Sequence, residues 1–321
     1  MVVLDIIILV VGFIALIKGA DIFVEGSSAL AKNFKVPGVI IGLTIVALGT
    51  SAPELAVSTS AAMQGANEIA LSNVIGSNIF NLLAVLGVCA LIHSVPVDDD
   101  ILKRDFPISI ITTLIVLSMT SFGSTLTGIE MSDNVGDITR TIGIVLIFVF
   151  VSYIMILIVN AKKHTQGEDD IKQIPLRKCF LYIIIGIALI IAGGQAVVYS
   201  AKEIARIAGM SETLIGLTIV AVGTSLPELV TSIVASRKGE NGMAVGNVIG
   251  SNIFNLLFIL GVSSAIHPIQ VNLASVYDMI ILIAVSVITY LFVIKDRKLG
   301  RIEGVAMLFI YIADMIFAAV R

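Results

Sequence analysis

The 321-residue chain has no tryptophan, three histidines, two cysteines and seven prolines, and only 13% of its residues are charged. A soluble domain carries roughly 25% charged residues. A chain with about half that share, 57% hydrophobic residues and a mean hydropathy of +1.06 belongs in lipid. Cys89 and Cys179 stand far apart without metal-type spacing, which excludes a disulfide framework and a structural zinc site. They read as small apolar fillers. No HExxH, no Cys/His cluster and no GxSxG nucleophile occurs, so nothing looks catalytic and no cofactor is expected. The net charge of −3 says little when most of the surface faces lipid. Lipid and small cations are the expected partners, with no nucleic acid and no obligatory protein partner.

What is present in quantity is apolar sequence. A helical span needs about 20 apolar residues, and ten such stretches lie near 4–27, 37–63, 68–92, 106–122, 139–160, 177–200, 211–235, 242–266, 274–294 and 302–320. The N-terminal stretch lacks a basic leader and a small-residue cleavage site, so it reads as a retained helix. No soluble domain is expected before or after the bundle. Lys18, Asp21 and Glu25, spaced three and four apart, are expected to pair with one another and snorkel toward the cytosol.

Charge is distributed one-sidedly. Numbered from the N-terminus, the odd loops hold fifteen of the twenty lysines and arginines, among them Lys103, Arg104, Arg237, Lys238 and the cluster at 295–301. The positive-inside rule therefore puts the odd loops in the cytosol and both termini outside, in the plasma membrane. A miscounted span would have blurred this bias, so the bias supports ten.

A repeat underlies the count. IGLTIVALGTSAPELAVS at 41–58 returns as IGLTIVAVGTSLPELVTS at 215–232, with fourteen of eighteen positions identical. At the same 174-residue offset NVIGSNIFNLL occurs unchanged at 73–83 and 247–257, and His93 aligns with His267. The chain divides into 1–160, a short cytoplasmic linker at 161–176, and 177–321. The first half begins outside and the second inside, so the expected architecture is an all-α membrane protein of ten transmembrane helices in two inverted-topology repeats of five. Inverted repeats place a substrate site near the midplane and suggest alternating access. His93 and His267 then lie on opposite faces and cannot share a metal, which leaves them as interfacial anchors.

Within each half the GTSxPE segment interrupts an apolar helix: Gly49, Thr50, Ser51, Pro53 and Glu54, then Gly223, Thr224, Ser225, Pro227 and Glu228. Proline removes a backbone donor, so the helix is predicted to break here and to free carbonyls such as those of Ala47 and Ala221. In lipid these need a partner inside the protein, and a cation is one. A mid-membrane glutamate costs about 2.5–3.5 kcal/mol on insertion scales, so two buried without use would be expensive to retain. Ser77 and Asn81, like Ser251 and Asn255, are spaced i and i+4 and project hydroxyl and amide oxygens from one helix face, with Asn73 and Asn247 one turn back. Gly76 and Gly250 would let these helices approach closely. Carboxylates, hydroxyls, amides and carbonyls, without sulfur or imidazole, are ligands for Ca²⁺ and Na⁺ and not for zinc, copper or iron. Two glutamates balance one Ca²⁺ or two Na⁺, so occupancy would be mutually exclusive.

At these residues the chain resembles the sodium/calcium exchanger branch of the cation/calcium exchanger superfamily, whose two alpha repeats carry G-T-S-x-P-E and G-S-N-x-F-N/D motifs. The resemblance covers nearly the whole chain. It implies that Glu54 and Glu228 bind Ca²⁺ and Na⁺ in turn, with Thr50, Ser51, Ser77, Ala47, Thr224, Ser225, Ser251 and Ala221 completing the sites. Several relatives have aspartate where this chain has Asn255, or Asn81 when K⁺ is co-transported. The linker, with its acidic run Glu168, Asp169 and Asp170, is too short for the calcium-sensing domains of animal exchangers and reads as a solvated tether. Sodium/calcium antiport is the expected function. Proton/calcium exchange is the alternative, which the hydroxyls of Thr50, Ser51, Thr224 and Ser225 disfavour, and a passive cation channel is a remote third.

Overall fold

The computed structural model describes residues 2–122, 133–161, 174–210, 219 and 221–320. Twelve helical elements follow in order: α1 (Val2–Phe34), α2 (Gly38–Thr50), α3 (Ala52–Met63), α4 (67–92), α5 (101–119), α6 (Arg140–Ala161), α7 (Leu176–Ile207), α8 (Ala221–Thr224), α9 (Leu226–Arg237), α10 (Asn241–Ile266), α11 (Leu273–Asp296) and α12 (Arg301–Val320). Most of the linker expected at 161–176, including Glu168, Asp169 and Asp170, lies outside the described residues, as do 211–218 and 220. Among the described residues six helices are long and apolar enough to cross a membrane, and the bent α2–α3 pair makes a seventh. The protein is a helical, multi-pass membrane protein.

Several helices outrun the expected spans. α1 has 33 residues and α7 has 32, or roughly 50 Å each at 1.5 Å per residue. Lys18, Asp21, Glu25 and Lys32 do not end α1, because lysine and glutamate have good helix propensity and long charged side chains reach water. The helix stops only at Lys35, in the left-handed region at φ 55°, ahead of Pro37. Asp21 pairs not with Lys18 but with Lys238, at 2.6 Å. α5 begins earlier than expected, through a π-helical turn at Ile101–Asp105.

α1 and α7 lie against each other along a seam of glycines seven residues apart. A Cβ at Gly19 would come within 2.8 Å of the Ile190 nitrogen, one at Gly193 within 2.6 Å of the Leu16 nitrogen, and one at Gly26 within 3.0 Å of the Cys179 carbonyl. Small residues at a heptad interval let two backbones approach over their whole length. Apolar side chains on the outer side of α1, such as Val3, Ile7, Val10, Ile14 and Ile17, are exposed, as a lipid-facing surface requires.

The motif helices sit at the centre. Over their most apolar windows α4 and α10 are 78% buried, against 22–33% for α1, α6, α7 and α11. Gly250 earns its place by packing, since a Cβ there would come within 2.7 Å of the Leu43 Cα. At Gly76 no described residue lies within 4 Å of that position; Leu217, the counterpart of Leu43, is outside the described residues. Short strands tie helix ends together. β1 (Val95–Pro96) pairs antiparallel with β5 (Lys298–Leu299), and β2 (Ser121–Phe122), β3 (Asn134–Ile138) and β4 (Ile269–Asn272) form a second sheet in that order. His93 and His267 each end a motif helix just before β1 and β4.

Candidate cation-binding site

The site begins with two interrupted helices. α2 ends at Thr50 and α3 starts at Ala52, and the two axes differ by 49°. Ser51 sits at the joint with φ −83° and ψ 11°, and Ser225 takes φ −94° and ψ 6° between α8 and α9. Pro53 and Pro227 follow within the first turn of α3 and α9, where the fixed proline φ suits a helix start. Glu54 and Glu228 therefore stand in the first turns of α3 and α9, where unpaired amides favour negative charge. Both side chains are fully buried.

One carbonyl differs from expectation. That of Ala47 is not freed, because it accepts the Ser51 amide at 3.0 Å and the Thr50 hydroxyl at 3.4 Å. Pro53 has no N–H to reach Gly49, four residues back. In the second half the Ser225 amide goes to the Val222 carbonyl at 3.2 Å, past Ala221, which starts α8. Gly49 and Gly223 also serve packing: a Cβ at Gly49 would come within 3.0 Å of Phe23 and Ile187, and one at Gly223 would collide with Val198.

The halves then bond across to each other. Ser51 Oγ donates to Glu228 Oε1 at 2.8 Å, and Ser225 Oγ to Glu54 Oε1 at 3.0 Å, with Ser225 also 3.0 Å from Ser77 Oγ. Thr50 Oγ1 lies 3.1 Å from Asn247 Oδ1, and Thr224 Oγ1 lies 3.5 Å from Asn73 Oδ1. Asn247 Nδ2 donates to Ser232 Oγ at 3.0 Å, and Asn73 Nδ2 to Ser58 Oγ at 2.9 Å, which ties α10 to α9 and α4 to α3. Ser58 and Ser232 went unnoticed in the sequence, although both fall in the repeated block one turn after the glutamates.

Asn81 and Asn255 begin π-helical turns, Asn81–Val85 and Asn255–Ile259, an irregularity frequent at functional sites. Their Nδ2 atoms donate to Asn252 Oδ1 and Asn78 Oδ1, at 3.2 and 3.0 Å. Asn78 and Asn252 were the other residues missed. What remains is a set of buried oxygens with no hydrogen-bond partner among the described residues: Glu54 Oε2, Glu228 Oε2, Asn81 Oδ1, Asn255 Oδ1 and Ser251 Oγ. A buried polar atom without a partner costs about 1–3 kcal/mol, and acceptors in that position invite a cation. Two carboxylates with hydroxyl and amide oxygens suit hard ions. Among the described residues no group of three or more His, Cys, Asp or Glu comes together.

Known proteins carry the same plan. The family profile described as sodium/calcium exchanger protein matches residues 4–159 and 178–320. A protein of Alkalimonas amylolytica that goes by the antiporter name CaxA is 38% identical over 319 residues, 95% of this chain and 96% of that one. The sodium/calcium exchanger MaX1 of Methanosarcina acetivorans is 31% identical over 345 residues, 98% of this chain and 99% of its own. A solved structure of the sodium-calcium exchanger NCX_Mj, soaked with 10 mM Na⁺ and zero Ca²⁺, superposes with a TM-score of 0.84 at 32% identity and covers all of both chains. The chain belongs to the sodium/calcium exchanger protein family and is accordingly a membrane ion transporter and not an enzyme.

Proposed function

We propose that this protein is a sodium/calcium antiporter that binds Ca²⁺ or Na⁺ alternately at Glu54 and Glu228. The observation that carries this reading is the crossed pairing of the two halves, Ser51 with Glu228 and Ser225 with Glu54, which leaves one oxygen of each carboxylate buried and unpartnered. Thr50, Thr224, Ser77, Ser251, Asn81 and Asn255 complete the ligand set, with the backbone carbonyl of Ala221 and the second lone pair of the Ala47 carbonyl, whose first is taken by the Ser51 amide. Two negative charges balance one Ca²⁺ or two Na⁺, so the ions exclude each other, and that exclusion is what makes coupled exchange possible.

In this reading ten helices span the cell membrane as two inverted repeats, 1–160 and 177–321, with both termini outside. The sequence repeat and the one-sided distribution of basic residues support it. A tenfold Na⁺ gradient is worth about 1.4 kcal/mol per ion, and one net charge crossing 100 mV adds about 2.3 kcal/mol. Three Na⁺ per Ca²⁺ would then supply about 6.5 kcal/mol, enough for a Ca²⁺ gradient of roughly 10⁴- to 10⁵-fold.

The test is ⁴⁵Ca²⁺ uptake into proteoliposomes loaded with Na⁺ or with choline, repeated with an imposed pH gradient and no Na⁺. Uptake that requires internal Na⁺ is the expected result. Uptake driven by the pH gradient alone would replace this reading with proton/calcium exchange, and a further requirement for K⁺ would add a co-transported ion.

A further inference from the structure

Four fully buried asparagines connect α4 to α10. Asn78 Nδ2 lies 3.1 Å from the backbone carbonyl of Asn252, and Asn252 Nδ2 lies 3.2 Å from that of Asn78. A backbone carbonyl can only accept, so each of these amides must turn its NH₂ toward the carbonyl and its oxygen the other way. The oxygen of Asn78 meets the Asn255 side chain at 3.0 Å, and that of Asn252 meets Asn81 at 3.2 Å. Facing an acceptor, Asn255 and Asn81 must in turn present Nδ2. Their own Oδ1 atoms then point elsewhere, buried and without a partner among the described residues. The Asn81 turn packs against α9, which carries Glu228, and the Asn255 turn against α3, which carries Glu54.

We propose that Asn78 and Asn252 are positioning residues for cation binding: through this relay they hold the amides of Asn255 and Asn81 with oxygen toward the ion site. The inference rests on the exchanger reading of that site. The two ends of an amide are nearly the same shape and opposite in polarity. A flipped Asn255 or Asn81 would turn an N–H toward the ion site, a surrogate donor where the cation needs an oxygen. The relay keeps that surrogate out, so only acceptors face the ion.

The test measures equilibrium ⁴⁵Ca²⁺ binding to purified protein together with Na⁺-driven uptake. Asn78→Ala removes the acceptor that orients Asn255 and is expected to raise the Ca²⁺ Kd about tenfold, the loss of one charge-assisted ligand. On an Asn255→Asp background, where the two side-chain oxygens are equivalent, the same Asn78→Ala change is expected to move Kd by less than about twofold. An equal rise on both backgrounds, or no rise on the Asn255 background, overturns the proposal. Asn252→Ala with and without Asn81→Asp repeats the comparison in the other half. If the alanine variants do not fold, Asn78→Asp decides: a protonated carboxyl can donate to the Asn252 carbonyl and accept from Asn255. It is expected to hold Kd within about twofold of wild type at pH 6, and a tenfold loss there overturns the proposal. Wild type that binds Ca²⁺ without exchanging it for Na⁺ would refute the exchanger reading while leaving this comparison intact, and wild type that binds no Ca²⁺ would overturn both.

Discussion

Alanine at Gly186 and, separately, at Gly194 places the same methyl group twice on α7, and the two substitutions are expected to act in opposite directions. At Gly186 the new Cβ would come within 2.6 Å of the Phe23 Cβ and 2.7 Å of its Cα, so the obstacle is the α1 backbone and cannot rotate away. Restoring ordinary contact requires α1 and α7 to part by about 1 Å, an overpacking cost of about 1–3 kcal/mol. Against this stands the gain of about 0.5–1 kcal/mol for replacing glycine inside a helix. The net loss is about 1–2 kcal/mol. At Gly194 the only described atom near the new Cβ is Pro227 Cγ at 3.8 Å, an ordinary contact. The equivalent position in the first half is already alanine, Ala20, so the helix gain should remain.

The assay follows from the composition. With no tryptophan to report unfolding, the two buried thiols of Cys89 and Cys179 do so, by reacting with a fluorogenic maleimide as the detergent-solubilised protein melts. Gly186→Ala should lower the apparent Tm by about 2–6 °C and Gly194→Ala should raise it by about 1–3 °C. An unchanged Tm for Gly186→Ala, or a similar fall for both variants, would refute the view that backbone contact sets the distance between α1 and α7.

Glu54→Gln and Glu228→Gln should each abolish Ca²⁺ exchange in proteoliposomes while leaving the melting curve near wild type, and retained exchange in both would remove the two glutamates from the site. Asp105 is buried, takes a two-pronged bond from Arg104 at 2.8 and 2.9 Å, and accepts the Tyr153 hydroxyl at 3.0 Å. Tyr153→Phe leaves it paired and should cost about 1 kcal/mol, whereas Arg104→Met strands the charge and should cost about 3 kcal/mol; the thiol melt ranks them, and a reversed order would count against this pairing. Hydrogen bonds from Lys103 and Arg297 hold the Asp99 carboxyl below the usual carboxylate range. A group depressed in the folded state adds stability above its unfolded pKa of about 3.9 and loses it as pH falls through the folded value. Asp99→Asn should therefore lower Tm at pH 7 and converge with wild type toward pH 3, and a constant gap across that range would contradict the assignment.

The repeat and its two glutamates were legible because identical blocks need no structural knowledge to align, and because a glutamate in an apolar run has few reasons to be there. The second tier of residues was not. Asn78 and Asn252 lie in the same identical block as Ser77 and Asn81, yet their partners are backbone carbonyls in the other half, and no local spacing reveals a carbonyl 174 residues away. Proline chemistry alone predicts a freed carbonyl at Ala47, but the amide of Ser51 reaches it before the chain turns at Pro53. α1 runs past the expected 4–27 to Phe34, and the expected pairing among Lys18, Asp21 and Glu25 gives way to a distant residue, since Lys238 takes up Asp21. The glycine seam was present as a seven-residue interval, though only the pairing of α1 with α7 tells which glycines meet.

The crossed serine–glutamate bonds bear on how such a chain could arise and how it can change. Each carboxylate is held by a hydroxyl that the other half supplies. A half-length chain would have to meet a second copy of itself, inserted the opposite way up if the repeats are inverted as proposed, before either glutamate gained its partner. Fusion of the two copies makes that meeting certain, and it also links their fates. A substitution at Ser51 is felt at Glu228, so the halves cannot drift apart in sequence at the joints, whatever freedom the lipid-facing surfaces retain.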